Sequence, residues 1–267
     1  MTISHTPGAT HAFKACIVIP YYNHPRSIAE VLAALRPLGL PCILVDDASS
    51  AESQAIIETL AQREHAWLKI VRHTVNQGKG AAVMTGCNGA FDDGFTHALQ
   101  IDADGQHDIG DVPRLIDLAR CHPHALVTGI PKYDETVPRS RLYGRYVTHV
   151  WVWIHTLSLE IKDSMCGLRV YPLAESVALW RSVKIGKRMD FDTEVIVRLV
   201  WRGISVISLP TRVVYPRDGV SHFDLLRDNV RITHMHTRLF FGMLWRSPML
   251  IARRITRLFG SRNEVVV

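Results

Sequence analysis

The chain has 267 residues, 47% of them apolar, and a formal net charge of +6, which suits one large α/β domain or one domain with an appendage. Such a chain buries roughly 70–75% of its unfolded surface and needs no covalent staples. Five scattered cysteines, Cys16, Cys42, Cys87, Cys121 and Cys166, include no Cys-x-x-Cys pair, which argues against a zinc knuckle or a disulfide framework and for a reducing, cytoplasmic setting. The polar segment 1–14 has no apolar signal core, and no run of 18 apolar residues predicts a spanning helix.

In chain order, the apolar, β-branched run 15–20 reads as a strand buried on both faces. Residues 27–38 follow as a helix with Ile28, Val31, Leu32 and Leu35 at helical spacing, and Ser27 with Glu30 makes a capping box. Strands are expected over 41–46, 68–72 and 98–101, with helices over 52–63 and 80–91 between them. This βαβαβαβ alternation predicts a parallel sheet with helices on both faces, whose strand C-termini share one edge. Beyond it, 125–129 reads as a strand, 131–141 as a charged loop and 142–159 as a helix. Helices over 173–181 and 189–201 and a strand over 204–209 complete the domain.

Four strand ends carry polar groups to that edge. They are Pro20-Tyr21-Tyr22-Asn23, Asp46-Asp47-Ala48-Ser49, Asn76-Gln77-Gly78-Lys79-Gly80 and Asp102-Ala103-Asp104. One copy of Asp-x-Asp is ordinary turn chemistry, but four polar strand ends together describe a nucleotide site at the edge where open α/β sheets bind ligands. Asp46 or Asp47 can accept hydrogen bonds from a ribose or a base. Residues Pro20 to Asn23 shape a wall for the base, and the amides of 76–80, at a helix start, suit a diphosphate. Asp102 and Asp104 can hold Mg²⁺ or Mn²⁺ against phosphate oxygens, with Gln106, two residues on, as third ligand and His107 behind. The loop at Lys79 is not a Walker A loop, and no Gly-x-Gly-x-x-Gly follows the first strand.

This ordered set resembles family 2 glycosyltransferases of the GT-A fold, closest to the dolichyl- and polyprenyl-phosphate mannosyl- and glucosyltransferases. Residues 163–169 (Asp-Ser-Met-Cys-Gly-Leu-Arg) and 191–194 (Phe-Asp-Thr-Glu) are similar to two further segments of that branch, so the resemblance spans about 14–217. It implies an inverting transfer from a UDP- or GDP-hexose, with a divalent metal, to a lipid-linked acceptor. It places Asp102, Asp104 and Gln106 at the metal and diphosphate, and Pro20, Tyr22, Asn23, Asp46, Asp47, Lys79 and Ala103 along the nucleotide. A lipid phosphate needs little base catalysis and is held by arginines, for which Arg139, Arg141 and Arg145 lie in the right region. A neutral hydroxyl acceptor instead requires a general base, and Asp163 or Asp192 is the candidate.

From Arg227 onward eight arginines meet only Asp228 and Glu264, interleaved with apolar clusters. The expected organisation is a flexible 1–13, a GT-A domain over 14–217 and a basic amphipathic helical tail over 218–267. Such a tail lies on an anionic membrane surface, here the cytoplasmic face, or packs on its own domain or a second subunit to make a homo-oligomer. No nucleic-acid reader motif is present. A nucleotidylyltransferase is disfavoured because 20–25 lack a Gly-rich, basic signature. The alternative from another class is a catalytically idle subunit that binds nucleotide sugar and recruits a partner enzyme to the membrane.

Overall fold

A computed structural model describes residues 12–132, 139–213 and 225–260. The apolar runs form strands β1 (Ala15–Tyr21), β2 (Cys42–Asp46), β3 (Leu68–Arg72), β4 (His97–Gln100), β5 (Leu126–Lys132), β6 (Arg169–Pro172) and β7 (Val206–Arg212). Between them run α1 (Ile28–Leu35), α2 (Ala51–Arg63), α3 (Lys79–Asp92), α4 (Val112–Cys121), α5 (Arg139–Thr156), α6 (Leu173–Ser182) and α7 (Phe191–Trp201), and α8 (Leu225–Gly260) ends the described chain. The sheet order is β3-β2-β1-β4-β6-β5-β7. All pairings are parallel except those of β6, which runs antiparallel to both β4 and β5.

Alternation along β1 divides the core. Ile17 and Ile19 pack with α1, α2 and α4 on one face. Cys16 and Val18 pack with α3, α5, α6, α7 and α8 on the other. Four of the cysteines are buried free thiols, and Cys121 is exposed. The chain steps from β1 outward through β2 to β3, then crosses back to β4 on the other side of β1. The crevice at the C-terminal ends of β1 and β4 is therefore a topological switch point.

Three local expectations are corrected. Ser27 makes no capping hydrogen bond with its side chain. Its hydroxyl instead donates to Ala103 O at 2.6 Å, tying the start of α1 to the Asp102–Asp104 turn. Both ends of the loop expected over 131–141 lie in regular elements, since β5 runs to Lys132 and α5 starts at Arg139; 133–138 lie outside the described residues. The stretch before the expected helix at 173, for which no strand is expected, ends in β6, antiparallel to both neighbours.

Within the expected tail, Leu225–Gly260 form one 36-residue helix, with Pro248 inside it. Its inward face buries Met235, Leu239, Met243 and Leu250 in the same core as α3 and α7. Arginines that read as membrane-facing in the sequence point back to the domain. Arg238 binds Glu194, Arg253 donates to Trp201 O at 2.8 Å, Arg254 donates to Leu157 O, and Arg246 lies over the Trp201 ring. The opposite face leaves Phe241, Leu244, Trp245 and Ile255 exposed, Trp245 by 85%. Among the described residues no helix is long and apolar enough to cross a membrane.

Where α8 meets α5, His155 and His236 stack with Nε2 and Nδ1 3.0 Å apart, beside Trp151. Burial lowers both histidines to about 4, and His236 adds to the effect on His155. Each is thus neutral when folded, whereas an unfolded histidine titrates near about 6.5. The unfolded chain binds more protons between these values, so the pair's contribution is present above about pH 6.5 and is lost as pH falls toward about 4. The urea midpoint should fall between pH 7 and 5, and His236→Phe should flatten that dependence. An unchanged slope in the variant would refute the assignment.

Candidate active site

The loop after β2 is built around Asp47, which is buried. Its carboxylate accepts from Gln77 N at 2.8 Å and Gly78 N at 2.7 Å, and His73 Nδ1 lies 2.7 Å away. Two of the amides that the sequence offered to a diphosphate are therefore taken by Asp47 itself. Ala81 N is taken as well, by Lys187 O at 3.1 Å. Both oxygens of Asp47 hold the loop that starts α3. Asp46 is fully buried, its Oδ1 accepting from Ser49 N at 3.0 Å. Asn23 adopts φ +52° and exchanges hydrogen bonds with Ser49 and Ser50, which fixes the β1 end against the β2 end. Pro20 is buried, and Tyr22 is half-buried beside it.

Lys79, the first residue of α3, carries the loop across to β4. Its Nζ lies 2.9 Å from Asp102 Oδ2 and 3.0 Å from Asp192 Oδ2. Burial opposes its charge, but the two carboxylates outweigh burial and raise its pKa. Asp102 is likewise penalised by burial, yet Lys79 and His107 hold it well below the usual carboxylate range. His107 Nε2 stands 3.9 Å from Asp102 Oδ2, with its side chain 7% exposed; the imidazole is thus a buried neighbour of the acid. Asp104 moves the other way, raised by burial and by the nearby charge of Asp102. The amide of Gln106 donates to Asp104 Oδ1 at 3.0 Å, which closes the turn.

This arrangement fits a hard divalent cation. Asp102 Oδ1 is buried and accepts no hydrogen bond. Asp104 is a second carboxylate that a neighbouring negative charge destabilises, and a cation would satisfy the first group and relieve the second. Among the described residues no cluster of three His, Cys, Asp or Glu could hold a metal by itself.

Residues 163–169 support Asp102 from behind. A Cβ built on Gly167 would meet Asp102 Oδ2 at 2.1 Å, so only glycine lets the backbone approach so closely. Gly167→Ala should cost about 1–3 kcal/mol of overpacking. By displacing Asp102 it should also lower turnover by about 10²-fold, the scale expected for an ångström of misplacement. Steady-state rates and a melting curve check both, and full activity would contradict this packing.

Asp163 anchors the same segment. It accepts from Arg145 Nε and Nη2 at 2.6 Å each, from Met165 N at 2.9 Å and from Cys166 N at 2.7 Å, and His149 Nε2 lies 3.3 Å away. Burial raises its pKa, but His149 and Arg145 outweigh burial and hold it well below the usual carboxylate range. Such a group is a poor proton acceptor at neutral pH, so Asp163 braces the segment and does not suit the general-base role considered for it. Arg145 is correspondingly engaged with Asp163. Arg141 lies in the first turn of α5, and its side chain is outside the described residues. Asp192 does reach the site through Lys79, and its main-chain oxygen accepts from the fully buried Arg169 at 2.6 Å.

Several site residues escaped the sequence reading: His73, His149, Gly167 and Arg188, whose Nη1 donates to Asn76 Oδ1 at 2.9 Å. Only the glycine carried a local signal, inside the motif at 163–169.

Residues 16–171 match the family described as Glycosyl transferase family 2. The UDP-N-acetylglucosamine–dolichyl-phosphate N-acetylglucosaminyltransferase of Methanococcus voltae is 23% identical over 219 residues, covering 74% of this chain and 85% of the relative. The polyprenol monophosphomannose synthase of Mycolicibacterium smegmatis is 22% identical over 221 residues, covering 78% and 80%. Among solved structures, glucosyl-3-phosphoglycerate synthase from Mycobacterium tuberculosis, in complex with Mn²⁺, UDP-glucose and phosphoglyceric acid, superposes with a TM-score of 0.56 at 16% identity, covering 90% of this chain and 84% of that one. The sheet with one reversed strand, flanked by helices, is thus the GT-A fold of these enzymes.

Proposed function

Because the chain belongs to glycosyl transferase family 2 and is a glycosyltransferase, we propose that it moves a hexose from a UDP- or GDP-sugar to a lipid phosphate. The observation that carries this reading is the buried, unpartnered Asp102 Oδ1 at the switch point, beside Asp104 and Lys79. Relatives named for dolichyl-phosphate and polyprenol acceptors support the acceptor class, and the Mn²⁺ and UDP-glucose of the fold neighbour support the donor and the metal.

In this reading the nucleotide lies along Pro20, Tyr22 and Asn23, over the loop that Asp46 and Asp47 hold in shape. Asp102, Asp104 and Gln106 would hold Mg²⁺ or Mn²⁺ against the diphosphate, with Ala103 along the nucleotide. The metal, when bound, supplies Lewis-acid stabilisation of the charge that develops on the departing nucleoside diphosphate. Lys79 adds a fixed positive charge on the same side. The acceptor attacks the anomeric carbon from the opposite face, which inverts the configuration. A phosphate monoester is already anionic near neutral pH, so no strong base is needed, in keeping with Asp163 and Asp192 being engaged by arginine and lysine. Arg141, at the start of α5, is the residue we assign to the acceptor phosphate, and Arg145 braces the segment behind it. The exposed apolar stripe of α8 then seats the enzyme at the cytoplasmic membrane surface, where the acceptor resides.

The test is an acceptor panel with UDP- and GDP-hexoses and Mn²⁺. A short-chain polyprenyl phosphate should yield a lipid-linked sugar, and the matching free polyprenol should not. Equal transfer to both would overturn the phosphate assignment.

A further inference from the structure

The side of Asn76–Lys79 away from Asp47 is built by the segment Gly186–Asp190. Lys187 O accepts the amide of Ala81 and lies against Gly78, where an added Cβ would meet it at 2.4 Å. Arg188 donates to Asn76 Oδ1 at 2.9 Å and to Asn76 O at 3.3 Å. This segment has its own anchor. The amide of Gly186 donates to Glu194 Oε2 at 2.8 Å. Glu194 is completely buried on α7, and its Oε1 takes Arg198 Nε at 2.8 Å. The same Oε2 that holds Gly186 is also held by Arg238 Nη2, at 2.9 Å, from α8.

We propose that Arg238, on the C-terminal helix, is a positioning residue for the nucleotide-diphosphate loop, acting through Glu194 and Gly186 on residues 76–81. The inference rests on the nucleotide reading above and extends it, because it makes α8 part of the donor site's framework. Arg198 neutralises Glu194 from within α7 whether or not α8 is docked, so Arg238 is not needed merely to accommodate the charge. What Arg238 adds is direction, since it fixes the oxygen that receives Gly186 N–H. Without Arg238, Oε2 keeps only the Gly186 amide while Arg198 still pulls on Oε1, so the carboxylate can turn toward Arg198. Here that rotation would release Gly186 and with it the Lys187 and Arg188 contacts to the loop.

The experiment uses the full chain and compares Arg238→Met and Arg238→Lys with Arg253→Met. The last variant removes another bond between α8 and the domain, to Trp201 O, but lies off this route. Arg238→Met should weaken binding of UDP or GDP with Mn²⁺ about tenfold or more, a change of about 1.4 kcal/mol, with kcat changed far less than KM. It should also speed amide exchange at Gly186 and Ala81. Arg238→Lys should restore much of both, and Arg253→Met should move neither. Equal loss of affinity in Arg253→Met would show a general docking role and overturn the proposal, as would unchanged exchange at Gly186 in Arg238→Met. If the wild-type chain binds neither nucleotide with Mn²⁺, the nucleotide reading itself fails, and the exchange rates alone decide whether the relay from Arg238 exists.

Discussion

Asp104→Ala should abolish metal-dependent sugar transfer, lowering turnover by about 10³-fold or more, while leaving the fold intact. The loss follows from removing one of two carboxylates at a cation that stabilises developing charge, where a single preorganised group is worth about 10²–10³. The survival of the fold follows from geometry. Asp104 accepts the Gln106 amide in its own turn, and its charge is disfavoured first by burial and then by Asp102. A carboxyl raised in the folded state subtracts stability above its unfolded pKa. The variant without nucleotide should therefore melt at or slightly above the wild-type temperature near pH 7. The two together, a dead enzyme with an unharmed melting curve, separate a metal-site role from a structural one. A variant that loses both would point to a turn residue instead.

Asp163→Ala should do the reverse and destabilise strongly. Removing the acid takes away the bidentate contact to Arg145, 16% exposed, and the acceptor of the Met165 and Cys166 amides. Breaking a buried pair in this way costs about 3–5 kcal/mol, which for a chain of this size lowers the melting temperature by roughly 10 °C. Because the folded pKa is depressed, the pair's stabilisation is present above the unfolded value near about 4 and is lost as pH falls below it. Wild-type stability should therefore drop below about pH 4, and Asp163→Asn should show a shallower drop. Turnover should also fall, since this segment carries Gly167 against Asp102. A variant with normal stability and no activity would restore the general-base role to Asp163.

The sheet was legible because its signals are local. Runs such as 15–20 and 42–45 are apolar throughout, and their C-terminal ends fall in register on neighbouring strands, Pro20 opposite Val45 and Tyr21 opposite Asp46. The Asp102–Asp104 turn was legible for the same reason. What stayed hidden is pairing at long range. Nothing near Lys79 announces that Asp192, far along the chain, shares its ammonium with Asp102. Nor does the loop at Gln77 and Gly78 announce that its amides are already claimed by Asp47. The reversal of β6 depends on how α5 returns the chain to the sheet, which periodicity does not encode. In α8 the arginine count suggested a basic membrane face, yet Arg238, Arg246 and Arg253 are turned to the domain. The apolar residues around Trp245 form the outward stripe instead. Charge spacing alone does not say which side of an amphipathic helix faces protein.

The central claim is that Asp102 and Asp104 hold a divalent cation against a sugar nucleotide. Calorimetric binding of UDP- and GDP-hexoses, with Mn²⁺ and with EDTA, to wild type and Asp104→Ala tests it most directly. One of the two nucleotide families should bind wild type with Mn²⁺ and lose at least about tenfold in affinity both with EDTA and in the variant. Binding that is equally tight with EDTA and in Asp104→Ala would contradict the account.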